Sequence, residues 1–167
     1  MKNPFIIVKI DSAYCDYLRN FDNKVPYNSG IKELRPFIGI LFNINEIRYF
    51  APLSSPKAKH IKLKNTIDLV KIDEGKLGVI NINNMIPVNE KNYELFDLNI
   101  SNKSVEEVKR IRLINQQLRW LNSHKNNIIG KALGLYNKFI NNKLSKNVVD
   151  RCCDFKLLET KCNEYNK

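Results

Sequence analysis

The apolar residues change their period once along the chain, near residue 90, and that change narrows the folds open to it. Before it, they come in short β-branched and aromatic runs bounded by turn residues. "PFIIVKI" (4–10) predicts a first strand. "DSAYCDYLRNF" follows, with Asp11 or Ser12 as cap and apolar residues at helical spacing, a short helix. A polar loop over 22–35 carries Pro26 and Gly30. "PFIGILFNINEIRYFAPL" (36–53) reads as a hairpin turning near Asn43–Glu46, and 66–83 as a second with Glu74-Gly75 at its turn. "NMIPV" (84–88) reads as a short strand that Pro87 favours for an edge.

After residue 90 the spacing is that of helices. Ser104 and Glu107 stand in capping-box register and open a helix with the stripe Val108, Ile111, Ile114, Leu118 and Leu121. "NNIIGKALGLYNKFINN" and "CDFKLLETKCNEY" give two more helices. Hairpins first and helices second predict an α+β fold in a single domain over 1–167. Its sheet is expected to be antiparallel and strongly twisted, or a half-open barrel, with helices packed on it and a mostly helical C-terminal half.

Lysine and arginine total 28 against 17 acids, a net charge of +11 that draws a chain toward nucleic acid or an anionic membrane. The alternative is charge that only keeps the protein soluble. Apolar runs are strand-sized, far below the roughly 18–20 residues of a membrane span, and the N-terminal run is too short for a secretory signal. A cytoplasmic protein without membrane association is expected. The four cysteines form no C-x-x-C pair and read as reduced, packed thiols rather than a zinc site with His124.

Cationic residues crowd most densely in "SSPKAKHIKLK" (54–64), which holds two hydroxyls, four lysines, a histidine and no acid directly after a predicted strand. A solvated lysine-rich loop would have this composition; so would a polyanion site. Phosphate-binding glycine loops and H-E-x-x-H motifs are missing, and the acids are too scattered for a two-metal nuclease. Cations and hydroxyls suffice, however, to cut RNA, whose own 2′-OH is the nucleophile. An enzyme must take that proton, stabilise the phosphorane and protonate the leaving 5′-oxygen. Acid–base help contributes roughly 10²–10⁴-fold and each preorganised donor about 10²–10³-fold. Lysine and serine can fill all three roles, and Pro56 stiffens the turn that aims them.

The stretches "FDNKVP" (21–26), "RPFIGI" (35–40), "APLSSPKAKH" (51–60) and "GVININNMIPV" (78–88) lie in one order with "VKRIRLINQQLRWLN" (108–122) and "CDFKLLETKCNEY" (153–165). Together they resemble the endoribonuclease toxins of type III toxin–antitoxin systems, the ToxN-like group that includes AbiQ- and CptN-type proteins. The resemblance implies a twisted antiparallel sheet with helices, similar to the MazF/Kid toxins. It implies RNA cleavage to a 2′,3′-cyclic phosphate and 5′-OH with neither cofactor nor metal, cellular or phage RNA as substrate, and a role in phage defence. Its implied partner is a tandem-repeat, structured antitoxin RNA that the toxin itself processes and that inhibits it in a closed protein–RNA assembly.

By the same resemblance the family's hydroxyl–Ser–Pro–Lys motif falls on Ser54, Ser55, Pro56 and Lys57, and the histidine after it on His60. Lys57 is expected to stabilise the phosphorane or move a proton, Ser55 to position the 2′-OH or phosphate, and Ser54 to support them. Arg35 stands where the family often has lysine; it can neutralise the scissile phosphate but is unsuited to act as a base. His60 is assigned as an acid or a phosphate contact. Lys59, Lys62, Lys64, Arg112 and Arg119 are assigned to the RNA backbone, and a family tyrosine has only Tyr27 as a distant counterpart. The net charge alone supports a different function, a non-catalytic basic RNA-binding protein, or a basic module at a membrane surface or ribosome.

Overall fold

The computed structural model describes residues 3–27 and 35–165, so much of the polar loop expected over 22–35, Gly30 included, lies outside the described residues. Strand β1 (Ile6–Ile10) is followed by helix α1 (Ser12–Arg19), whose cap is Asp11: its carboxylate accepts from the Ala13 N–H at 3.2 Å. The first expected hairpin resolves into β2 (Phe37–Gly39), β3 (Asn43–Ile44) and the longer β4 (Ile47–Ser54). Short helix α2 (Ala58–Lys62) comes next, then β5 (Val70–Lys71), β6 (Val79–Ile80), β7 (Ile86–Val88) and β8 (Tyr93–Leu95).

The eight strands make one antiparallel sheet that does not close on itself, in the order β5-β6-β4-β2-β1-β8, with β3 and β7 also paired to β4. Strand β4 is the hub. Ile7 opposes Ile38, Ile38 opposes Ala51, and further along β4 Leu53 opposes Ile80. The chain of β4 therefore leaves the sheet at Ser54, where the basic segment begins.

Helices α3 (Val105–Ser123), α4 (Lys125–Ile140), α5 (Lys146–Arg151) and α6 (Phe155–Tyr165) fill the C-terminal half. Ser104 caps α3 as its spacing predicts, its hydroxyl accepting from the Glu107 N–H at 3.2 Å. The buried positions of α3 are Ile111, Ile114, Gln117 and Leu121, so a polar residue sits inside the apolar stripe. Buried polar contacts clamp the other helices to the sheet. Glu159 of α6 accepts from the Tyr49 hydroxyl at 2.8 Å and the Tyr136 hydroxyl at 2.6 Å. Asp68 accepts from Arg151 through both its oxygens, at 2.8 and 3.1 Å. All four cysteines are buried and none forms a disulfide, and burial pushes the Cys152 thiol up to about 12. No helix among the described residues is long and apolar enough to cross a membrane.

Three elements depart from the sequence expectation. The segment read as a loop, 58–62, is a helical turn. Strand β8 carries Glu94 and no β-branched residue, yet pairs with the edge of β1. Helix α5 has only six residues, too few to show a period.

Candidate active site

Where β4 ends, a cavity of about 230 Å³ opens between the sheet and α3, lined by Arg35, Pro36, Leu53, Ser54, Ser55, Lys57 and Arg110. Four of the five residues assigned to cleavage from the sequence thus meet at one place. Arg35 comes from the lead into β2, Ser54 from the last residue of β4, and Ser55 and Lys57 from the turn beyond it. The polar wall consists of guanidinium, ammonium and hydroxyl groups. Burial lowers the pKa of both Arg35 and Arg110. Both stay charged, because a guanidinium is not deprotonated in a protein. Each has lost part of its water, which an anion entering the cavity would replace with charge-assisted hydrogen bonds.

The floor beneath the serines is tightly built. Asn81 donates its side-chain amide to the Ser54 hydroxyl oxygen at 3.0 Å. Gln117, the polar residue in the α3 stripe, donates to the Leu77 carbonyl at 2.7 Å and reaches the Ser54 carbonyl at 3.5 Å. Gly78 has φ +105°, and a Cβ there would lie 2.0 Å from the Ser54 carbonyl oxygen. Only glycine lets the β5–β6 turn come this close.

His60 lies away from the cavity. It is buried, and it shares a reciprocal pair with Lys57: the His60 N–H donates to the Lys57 carbonyl at 2.9 Å, and the Lys57 N–H donates to His60 Nδ1 at 3.1 Å. Since Nδ1 accepts, the proton of the neutral ring sits on Nε2. Burial, with Lys57 and Lys59 alongside, holds the imidazole below its ordinary pKa. The far end of the short helix is held as well, by Lys71, whose ammonium donates to the Ile61 and Leu63 carbonyls at 3.1 and 3.0 Å.

Lys59, Lys62 and Lys64 are all exposed along this segment. Arg112 and Arg119 share a different surface. They are seven residues apart on α3, and Arg112 lies roughly 200° around the helix from Arg110, so neither reaches the cavity. Tyr27 is also elsewhere, beneath the guanidinium of Arg19 at 4.7 Å.

A family model described as Toxin ToxN, type III toxin–antitoxin system, matches residues 6–163. The chain belongs to the ToxN toxin family. An Endoribonuclease ToxN of Bacillus thuringiensis subsp. kurstaki is 35% identical over 162 residues, covering 95% of this chain and 82% of that protein. Two solved structures share the fold closely. One comes from a bacterial antiviral system regulated by a processed non-coding RNA, with TM-score 0.79 and 30% identity over 97% of this chain and 99% of that one. The other concerns selective toxin inhibition by a non-coding RNA pseudoknot in type III systems, with TM-score 0.82 and 32% identity over 99% of each chain.

In this ToxN-family chain, Arg110 in the cavity wall, and Asn81 and Gln117 in the floor beneath Ser54, are not among the residues assigned from the sequence. A signal was present: Arg110, Ile114, Gln117 and Leu121 follow i, i+4, i+7, i+11, which aligns them on the buried side of α3. Asn81 gave no comparable signal in a chain rich in asparagine.

Proposed function

We propose that this chain is an endoribonuclease toxin that cuts RNA by transesterification without a metal. The observation that carries the reading is the cavity in which Arg35, Ser54, Ser55 and Lys57 converge with Arg110. A phosphodiester held there would have two guanidinium groups and an ammonium around its oxygens. The ribose 2′-oxygen attacks phosphorus, the P–O5′ bond breaks, and the products are a 2′,3′-cyclic phosphate and a 5′-hydroxyl. Lys57 stabilises the charge that builds on the phosphorane or moves a proton, and Ser55 positions the 2′-OH or phosphate. Arg35 and Arg110 bind the scissile phosphate. Ser54, tied to Asn81, sets the turn. His60 fits a positioning role better than an acid's, because its Nδ1 is engaged by Lys57 and its ring is buried.

The exposed lysines at 59, 62 and 64 continue from this cavity and suit the backbone of a longer RNA. Membership of the ToxN family, and the structures of relatives regulated by non-coding RNA, support a structured antitoxin RNA as inhibitor of this toxin. The relative from a bacterial antiviral system supports an antiviral role; processing of that RNA by the toxin, a closed protein–RNA assembly and a cytoplasmic location complete the proposal.

The test is incubation of purified protein with single-stranded RNA in EDTA, followed by mass spectrometry of the ends. Cyclic phosphate and 5′-OH ends are expected. Retention of RNA with no cleavage under any condition would instead support a non-catalytic RNA-binding protein.

A further inference from the structure

A second cavity, about 290 Å³, adjoins the first and shares Arg110 with it. It lies between the end of β8 and α3, and its surface is mainly apolar, supplied by Leu95, Phe96 and Ile111. The Arg110 guanidinium stands over the Phe96 ring at 5.7 Å from its centroid. Glu94 and Glu107 are exposed at its rim, while Asp97 is occupied by the Lys103 ammonium at 2.9 Å. Its volume sits near the lower bound for pockets that hold a whole small molecule, roughly 300–1,000 Å³.

The contrast between the two cavities decides what each can hold. The first offers cations and hydroxyls to an anion. In the second, Glu94, Asp97 and Glu107 offset Lys9, Lys103 and Arg110, so an anion meets no net attraction there, and the exposed surface is mainly apolar. A flat, uncharged aromatic group suits it: bases stack on phenylalanine rings and on arginine guanidinium planes. Carboxylates at the edge accept hydrogen bonds from exocyclic amino groups, as Glu and Asp do from cytosine N4.

Resting on the RNA-cleaving reading above, we propose that this cavity is a nucleobase subsite next to the scissile phosphate. Phe96 and Arg110 form its stacking surface, and Glu94 and Glu107 favour bases with an exocyclic amino group over uracil. Arg110 joins the two cavities, so one side chain registers the phosphate against the base.

The test uses 2′-fluoro RNA, which has no attacking hydroxyl, with an abasic nucleotide walked along it and affinity measured at each position. One position should cost the wild type on the order of 10-fold. The same lesion should cost Phe96→Ala little, since the stacking partner is already gone. At that position cytosine should bind better than uracil, and Glu107→Gln should narrow the difference. Leu95→Ala removes apolar wall at a residue 68% exposed, with little risk to the fold, and should shrink the loss at that position in the same direction. Equal losses at every position in the wild type, an undiminished loss at that position in both Phe96→Ala and Leu95→Ala, or equal binding of cytosine and uracil by the wild type, would overturn the subsite. Cleavage of ordinary RNA by the wild type is followed in parallel. The binding pattern without cleavage removes the proposed activity and leaves the subsite standing; cleavage without the pattern does the reverse.

Discussion

The cations at and just beyond the end of β4 stand in two settings. In the cavity at the end of β4, Arg35 and Arg110 are half-buried, Ser54 is held by Asn81 with Gly78 packed beneath it, and the exposed Ser55 and Lys57 stand on the turn that this floor fixes. On the strip beyond, Lys59, Lys62 and Lys64 stand in water on a five-residue helix and its exit. The difference concerns reorganisation. Donors fixed in a partly desolvated pocket meet developing charge without having to move, which is where most catalytic stabilisation arises. Solvated lysines release counterions on meeting a backbone and contribute affinity that salt removes. Chemistry is thus assigned to the first setting and grip to the second.

The sharpest way to break this division is Lys57→Ala or Ser55→Ala. Either should lower the single-turnover cleavage rate by about 10²–10³-fold while the denaturation midpoint stays put. A few-fold loss, like that of a strip lysine, would erase the distinction. Next comes the floor. Gly78→Ala places a methyl against the Ser54 carbonyl at a backbone angle alanine resists, and should cost about 2 kcal/mol or more in chemical denaturation. Cleavage should fall with it, because the displaced carbonyl belongs to the cavity wall.

A pH titration of stability probes the join between the two settings. His60 has a folded pKa held below that of the unfolded chain, about 6.5, mainly by burial. Stability is therefore complete above about pH 6.5 and declines as pH falls toward the lowered folded value, since the unfolded chain takes up the proton first. His60→Gln should flatten that decline relative to the wild type. The smallest effect is expected on the strip. Lys62→Ala should weaken RNA binding a few-fold at low salt, reduce the slope of log affinity against log salt by about 0.7, and leave the cleavage rate of bound RNA unchanged.

Much of this was legible in the sequence, for identifiable reasons. The strand-then-helix order followed from periodicity, and the Ser104 cap followed from its spacing to Glu107. Ser54, Ser55 and Lys57 could be grouped because they are neighbours in the chain. Arg35 was linked to them through the family resemblance alone, and it meets them because β2 and β4 pair, with Phe37 opposite Pro52. What escaped depends on tertiary approach. Arg110 turns inward because α3 packs on the sheet, and Gln117 is buried because two carbonyls at a strand end need a donor. The helical turn at 58–62 is held by the His60–Lys57 pair and by Lys71 from a later strand, while lysine-rich composition alone suggests a loop.

The most direct measurement replaces a single ribose. An RNA carrying one 2′-deoxynucleotide immediately 5′ of the scissile phosphate should bind the wild-type protein as ordinary RNA does and remain intact at that bond, in EDTA as in magnesium. Cleavage of that bond at the normal rate, or a strict requirement for a divalent ion in cutting the all-ribose strand, would contradict a pocket of cations and hydroxyls acting on the RNA's own 2′-oxygen.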